Sequence, residues 1–163
     1  MSQPFTITPV RNPADLAATI ALIHAYTAWL GIDLAFQNFS EEISGMPGKY
    51  APPTGELLLA RHAATGEAIG CVGLRPLDAH CCEMKRLFVA EAGRGTGVGS
   101  ALVDRVIRVA VELGYREMRL DTLDHMRAAR RMYARFGFEE IEPYYCNPLP
   151  GASYWAKKLD GAG

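Results

Sequence analysis

Arg94-Gly95-Thr96-Gly97-Val98-Gly99 lies between an apolar run, Met84 to Ala90, and a long amphipathic segment, Val98 to Leu113. That order reads as strand, glycine-rich turn, helix. Such a turn leaves backbone N–H groups free at a helix N-terminus, where the helix dipole favours an anion. Arg94 adds a fixed charge and a fork of donors suited to phosphate oxygens. Two nucleotide-binding patterns fail here. In a G-x-G-x-x-G fingerprint counted from Gly95 the sixth residue is Ser100, and counted from Gly93 it is Val98. No Gly-Lys-Ser/Thr follows the turn, which excludes a nucleotide P-loop. What remains is Arg-x-x-Gly-x-Gly, carried by Arg94, Gly97 and Gly99, a pattern that an ordinary tight strand-to-helix turn also produces.

Working outward, Phe5-Thr6-Ile7-Thr8 alternates as a first strand, and Asn12-Pro13 starts a helix that runs to about Leu30 and stops at Gly31. Ile32 to Met46 reads as a partly helical connector, broken by Pro47-Gly48 and Pro52-Pro53. Glu56 to His62 and Ala68 to Arg75 form a hairpin pattern around Thr65-Gly66, and Cys82 to Ala90 is a further strand. The helix after the glycine turn places Val98, Leu102, Val106, Val109 and Leu113 on one face and ends at Gly114. Arg116 to Thr122 is predicted as strand, Arg127 to Phe136 as helix, and Phe138 to Ile141 and Ser153 to Leu159 as strands. With no repeat or linker, the pattern predicts a single α+β domain over 1–163. Its sheet is expected to be mixed and mainly antiparallel, flanked by helices on both faces, with one strand-helix-strand crossover at its centre.

The 163 residues, 49% hydrophobic and 21% charged with net charge −1, give no electrostatic reason to expect nucleic acid or an anionic membrane as partner. Leu16 to Ile32 lacks Asp, Glu, Lys and Arg, but contains Thr19, His24, Tyr26 and Thr27 and falls short of the roughly 18 apolar residues of a membrane span. It is expected to be a buried helix of a soluble protein. Cys71, Cys81, Cys82 and Cys146 show neither a disulfide framework nor C-x-x-C spacing, which points to a reducing, cytoplasmic setting. His24, His62, His80 and His125 are scattered without metal-ligand spacing, so no metal is expected. No His partner motif accompanies the cysteines to support a thiol nucleophile.

Three segments in order carry a resemblance. Cys82-Glu83-Met84-Lys85-Arg86-Leu87-Phe88-Val89, the Arg94 to Gly99 turn, and Tyr133-Ala134-Arg135-Phe136-Gly137-Phe138 together resemble the GNAT superfamily of N-acetyltransferases, over roughly residues 55 to 159. Met132 stands where the family pattern has Leu, and Met126 where an Asn often lies seven residues before the tyrosine. The resemblance implies acetyl-coenzyme A as donor. Its diphosphate would lie on the N–H groups of Arg94, Gly95, Thr96, Gly97, Val98 and Gly99, with Ser100 beside them, and its pantetheine arm would run along Leu87, Phe88 and Val89. It also implies that Tyr133 serves the departing thiolate as acid, and that a backbone N–H near Val89 meets the thioester oxygen.

A lysine-like amine with pKa near ~10.4 is neutral at pH 7 only at a cost of about 4–5 kcal/mol. A positioned base typically contributes roughly 10²–10⁴-fold, which is the right size of remedy. Glu83 is the first candidate, on the strand face expected to be shared by Lys85 and Leu87, and pairing with Lys85 or Arg86 is its structural alternative. Asp121 and Asp124 are held in reserve. Phe36-Gln37 and Tyr144-Tyr145-Cys146-Asn147-Pro148 are aromatic-polar clusters in loops, which assigns Gln37, Tyr145 and Asn147 to the acceptor pocket. The expected acceptor is a small-molecule primary amine reached by direct attack, in a monomer or homodimer. A non-catalytic acyl-coenzyme A sensor or regulatory module, or a protein amino-group acetyltransferase, are the alternatives.

Overall fold

Asn12 opens the first long helix by accepting the Asp15 N–H at 2.8 Å, and Pro13 pre-sets the helical φ behind it. This helix, α1 (Pro13–Leu30), ends where Gly31 turns left-handed and its N–H closes on the Thr27 carbonyl. The computed structural model describes residues 4–31 and 39–159. The remaining strands and α-helices are β1 (Phe5–Pro9), α2 (Phe39–Ser44), β2 (Glu56–His62), β3 (Ala68–Pro76), β4 (Cys81–Val89), α3 (Val98–Glu112), β5 (Glu117–Leu123), α4 (Arg127–Arg135), β6 (Glu139–Ile141) and β7 (Ala152–Lys158).

These strands form one seven-stranded sheet in the order β1-β2-β3-β4-β5-β7-β6. Every neighbouring pair is antiparallel except β4 and β5, which run parallel and are joined through α3. Parallel neighbours need a crossover, and α3 supplies it at the centre of the sheet. The α+β architecture, its mixed sheet and its central crossover therefore match the sequence expectation.

Two apolar layers cover the sheet. Under α3, Val98, Leu102, Val103, Val106 and Ala110 pack against Leu58, Val72, Leu74, Met84, Met118 and Leu120. On the other face Leu22 and Ile23 of α1 pack on Leu59, Cys71 and Phe88.

Three expectations are corrected. α1 is not buried all round, since only Thr19, Leu22 and Ile23 are fully covered and Trp29 is 54% exposed. Six of its 18 residues are alanines, which favour helix without demanding burial. In α3 the buried stripe runs through Ala110 and leaves Leu113 exposed, because the helix ends at Glu112 and Leu113 is its C-cap, beyond the last turn that packs on the sheet. The third correction lies in β4. Cys71 pairs with Phe88 but Gly73 pairs with Lys85, so β4 holds one extra residue there, and Arg86 has φ of 60°. The bulge breaks the two-residue alternation. Glu83 and Lys85 do share a face, but Leu87 turns to the α3 side and Phe88 to the α1 side.

Among the described residues no helix is long and apolar enough to cross a membrane.

Candidate active site

The parallel pairing of β4 and β5 stops early. Cys81, Cys82 and Glu83 pair with Glu117, Met118 and Arg119, yet β4 continues to Val89 and β5 to Leu123. The strands part beyond Glu83, and a cleft opens between them. It is walled by Met84 to Leu87 on one side and Leu120 to Leu123 on the other, with Tyr133, Met126 and Ala129 from the α4 region closing it. On this side the backbone of β4 faces a gap rather than a partner strand, which suits an extended chain with amide groups of its own.

At the far end of β4 lies the glycine turn. Gly95 and Gly97 have φ of 79° and 86°, conformations that a side chain at either position would strain. Gly97 is the N-cap of α3 and carries no side chain to cap it. The first bond into the helix is Ala101 N–H to the Gly97 carbonyl, which leaves the amides of Val98, Gly99 and Ser100 without intrahelical acceptors. The amides of Arg94 and Thr96 are used inside the turn, by the carbonyls of Glu91 and Gly93, and the Thr96 hydroxyl also donates to Gly93. The open donors are therefore fewer than the sequence reading proposed, and they cluster at the helix start. The Ser100 hydroxyl faces the Met132 sulfur at 3.6 Å. Gly99 brings its backbone against Val89, which ties the turn to the end of β4.

Tyr133 reaches the cleft from α4, buried and braced edge-to-face on Phe138 at 5.9 Å. Burial pushes its phenol pKa well up, with the nearby Tyr26 and Asp121 adding to the shift. It is thereby held as a neutral hydrogen-bond donor. Asp121 lines the same cleft from β5. It accepts from the Tyr145 hydroxyl and from Asn147 Nδ2 (2.9 Å), and Lys85 Nζ stands 3.6 Å away. Burial lowers the Lys85 pKa, against the pull of Asp121 and Glu83.

Glu83 is only 1% exposed and stands outside the cleft wall. Its oxygens accept from Arg75 Nε at 2.9 Å and from the Tyr144 hydroxyl at 2.6 Å. Among the described residues its hydrogen-bonded ion-pair partner is Arg75 of β3. Arg86 pairs instead with Glu42 of α2, Nε to Oε2 at 2.8 Å and Nη2 to Oε1 at 3.2 Å, and Arg75 also touches Glu42 at 3.4 Å. Burial alone would raise the Glu42 pKa, but the Arg86 hydrogen bonds and the charges of Arg86, Arg75 and Lys85 outweigh it and hold the carboxyl below its usual range.

Of the acceptor residues expected from sequence, Tyr145 and Asn147 converge on Asp121. Asn147 is also pinned through its backbone N–H on the Tyr154 hydroxyl (2.9 Å) and its Oδ1 on the Leu149 N–H (2.9 Å). Gln37 and Phe36 lie outside the described residues. Asp124 and His125 are exposed, and Asp124 approaches Arg130 at 3.8 Å. Along α4, Arg127, Arg131 and Arg135 are exposed, whereas Arg130 lies over the Trp155 ring. Sequence reasoning passed over Arg75 and Glu42, and quoted Tyr144 in its loop cluster without giving it a role. Tyr144 had a signal, as the immediate neighbour of Tyr145, while Arg75 and Glu42 become site residues only through sheet and helix packing. All four cysteines are free thiols, and burial raises Cys71 to about 12 and Cys81 to about 11, which disfavours thiolate chemistry there.

A helix-start turn with open amides, a split parallel strand pair and a tyrosine at the split occur together in this fold. The sequence model of the Acetyltransferase (GNAT) family matches residues 24–138. An uncharacterized N-acetyltransferase of Schizosaccharomyces pombe is 43% identical over 150 residues, covering 91% of this chain and 91% of that protein. The crystal structure of an acetyltransferase from Streptococcus agalactiae shares the fold at a TM-score of 0.79 and 23% identity, covering 97% of this chain and 100% of the other. A GNAT acetyltransferase of Elizabethkingia anophelis, solved with acetyl-CoA bound, superimposes at a TM-score of 0.65 and 23% identity over 97% of this chain and 100% of the other. The chain belongs to the GNAT acetyltransferase family and is an N-acetyltransferase.

Proposed function

We propose that this enzyme moves an acetyl group from acetyl-coenzyme A to the primary amine of a small molecule, by direct attack in the β4–β5 cleft. The observation that carries this reading is the cleft's composition: one opening holds Asp121 from β5 and Tyr133 from α4 beside an unpaired stretch of β4. The turn at the head of α3 suits a diphosphate, because its open amides and Arg94 act together on one doubly charged group. Each favourable charge at a helix terminus is worth roughly 0.3–1 kcal/mol, so several donors are needed jointly.

Bound acetyl-coenzyme A supplies the thioester as acetyl donor. The other roles fall to the chain. Leu87, Phe88 and Val89 offer backbone to the pantetheine arm, and the amide beside Val89 faces the developing charge on the carbonyl oxygen. Asp121, the carboxylate that shares the cleft with Tyr133, takes the proton from the amine, directly or through water. Glu83, the other carboxylate of this face, holds Arg75 and Tyr144 and so fixes the acceptor loop over the cleft. Tyr133 donates a hydrogen bond to the leaving sulfur. Full proton transfer from a phenol near ~10 to a thiolate near ~8.5 is already uphill by about 2 kcal/mol, and burial of Tyr133 steepens it.

The loop 143–151 covers the acceptor side, with Tyr145 and Asn147 on Asp121, which favours a small molecule over a protein segment. A cytoplasmic setting accords with four free thiols. The test combines calorimetric titration of coenzyme A with a thiol-release assay on a panel of amines. Tight binding with acceptor-dependent thiol release supports the reading, and binding without release for any amine favours a sensor. In the same assay Tyr145→Ala raises the KM for the acceptor and leaves coenzyme A affinity unchanged.

A further inference from the structure

Trp29 is a large apolar side chain left 54% exposed near the C-terminal end of α1. Its indole is engaged at both ends. Toward the sheet it stacks on Tyr26, one helical turn back, at 6.3 Å with the planes 25° apart. Tyr26 in turn lies 5.3 Å from Phe88, at the β4 segment beside the cleft. Toward the turn, the guanidinium carbon of Arg94 lies 5.5 Å from the indole centroid. Phe88, Tyr26, Trp29 and Arg94 thus form a continuous ladder from the cleft strand, across α1, to the head of the phosphate turn.

Arg94 is itself exposed, and among the described residues its interactions include no carboxylate. A long cation with no anchor samples many rotamers, and freezing it on binding costs conformational entropy. A tryptophan face removes part of that cost by holding the guanidinium in one place before the ligand arrives, while its N–H fork stays free to donate.

We propose that Trp29 is a positioning residue for diphosphate recognition: it holds Arg94 over the turn of residues 94–99, so that α1 contributes to coenzyme A affinity without touching the reacting atoms. This rests on the proposed placement of coenzyme A at that turn.

The test is a double-mutant cycle on coenzyme A affinity by calorimetry, with wild type, Trp29→Ala, Arg94→Gln and the double variant, and with Trp29→Phe as the conservative control. Arg94→Gln is expected to weaken binding at least tenfold. Trp29→Ala weakens it about five- to tenfold, the size of a cation–π contact. Trp29→Phe restores most of the loss, and the double variant binds no worse than Arg94→Gln alone. Against pantetheine, which lacks the diphosphate, Trp29→Ala changes nothing. Wild-type affinity in Trp29→Ala, additive losses in the double variant, or an equal loss toward pantetheine overturns the inference and leaves the cofactor site standing. Insensitivity of coenzyme A binding to Arg94→Gln overturns the placement at the turn as well. Trp29 lies on the surface, and thermal melts of each variant separate lost folding from lost binding.

Discussion

The Tyr144 hydroxyl donates to Glu83 of β4 at 2.6 Å, while the hydroxyl of the next residue, Tyr145, donates to Asp121 of β5. Two consecutive loop residues are thus latched to the two strands that part to form the cleft. Only the second carboxylate lines that cleft.

The difference separates the two carboxylates by experiment. Asp121→Asn is expected to lower kcat/KM for the amine by roughly 10²–10⁴-fold, the usual contribution of a positioned base, with coenzyme A affinity unchanged. Glu83→Gln should act mainly through KM, because it loosens Tyr144 and Arg75. Steady-state kinetics of both variants decide the matter, and a larger kcat loss in Glu83→Gln would move the base to β4.

Tyr133→Phe is expected to cut kcat at least tenfold while coenzyme A still binds. Since burial drives the Tyr133 pKa upward, its phenol stays protonated through the working range. The pH–rate profile of the wild type should therefore show no alkaline fall from this group below pH ~10, the ordinary phenol value. Unchanged turnover in Tyr133→Phe would retire the donor role.

Glu42 gives a prediction about stability. Arg86 and Arg75 hold its folded-state pKa below the ordinary 4.5, so its contribution is fully present above that value and is lost as pH falls through the folded-state pKa. Glu42→Gln should cost about 3 kcal/mol near neutral pH, the lower end for breaking a buried pair, because Arg86 stays buried. Denaturant melts from pH 7 to pH 3 should show the gap between wild type and variant closing on the acid side.

Met126 occupies the N-cap of α4 without a capping side chain. Met126→Asn is expected to add about 1 kcal/mol to stability, since Asn is among the best N-caps. For a domain of this size that corresponds to a rise in Tm of roughly 2–4 °C. Differential scanning calorimetry tests it, and a lower Tm would mean that the methionine's packing in the cleft outweighs the cap.

The elements and their order were legible because each has a local cause. Asn12-Pro13 and Gly31 bound α1, and Gly97 marks the head of α3. The bulge at Arg86 was not legible, since nothing in Lys85-Arg86-Leu87 announces an arginine with positive φ. That extra residue undid the inference that Glu83 and Leu87 share a face. The charged layer was hidden for a related reason. Glu42, Arg75, Glu83 and Arg86 come from α2, β3 and β4, and only their packing brings them within hydrogen-bond reach. The glycine turn was readable because one short segment contains it whole.

The most direct measurement of the central claim is a crystal structure of the chain grown with coenzyme A. The account predicts diphosphate oxygens within about 3.2 Å, hydrogen-bond distance, of the amides of Val98, Gly99 and Ser100. It also predicts the sulfur between β4 and β5, facing Tyr133 and Asp121. Coenzyme A bound on another surface, or no density at millimolar ligand, would contradict it.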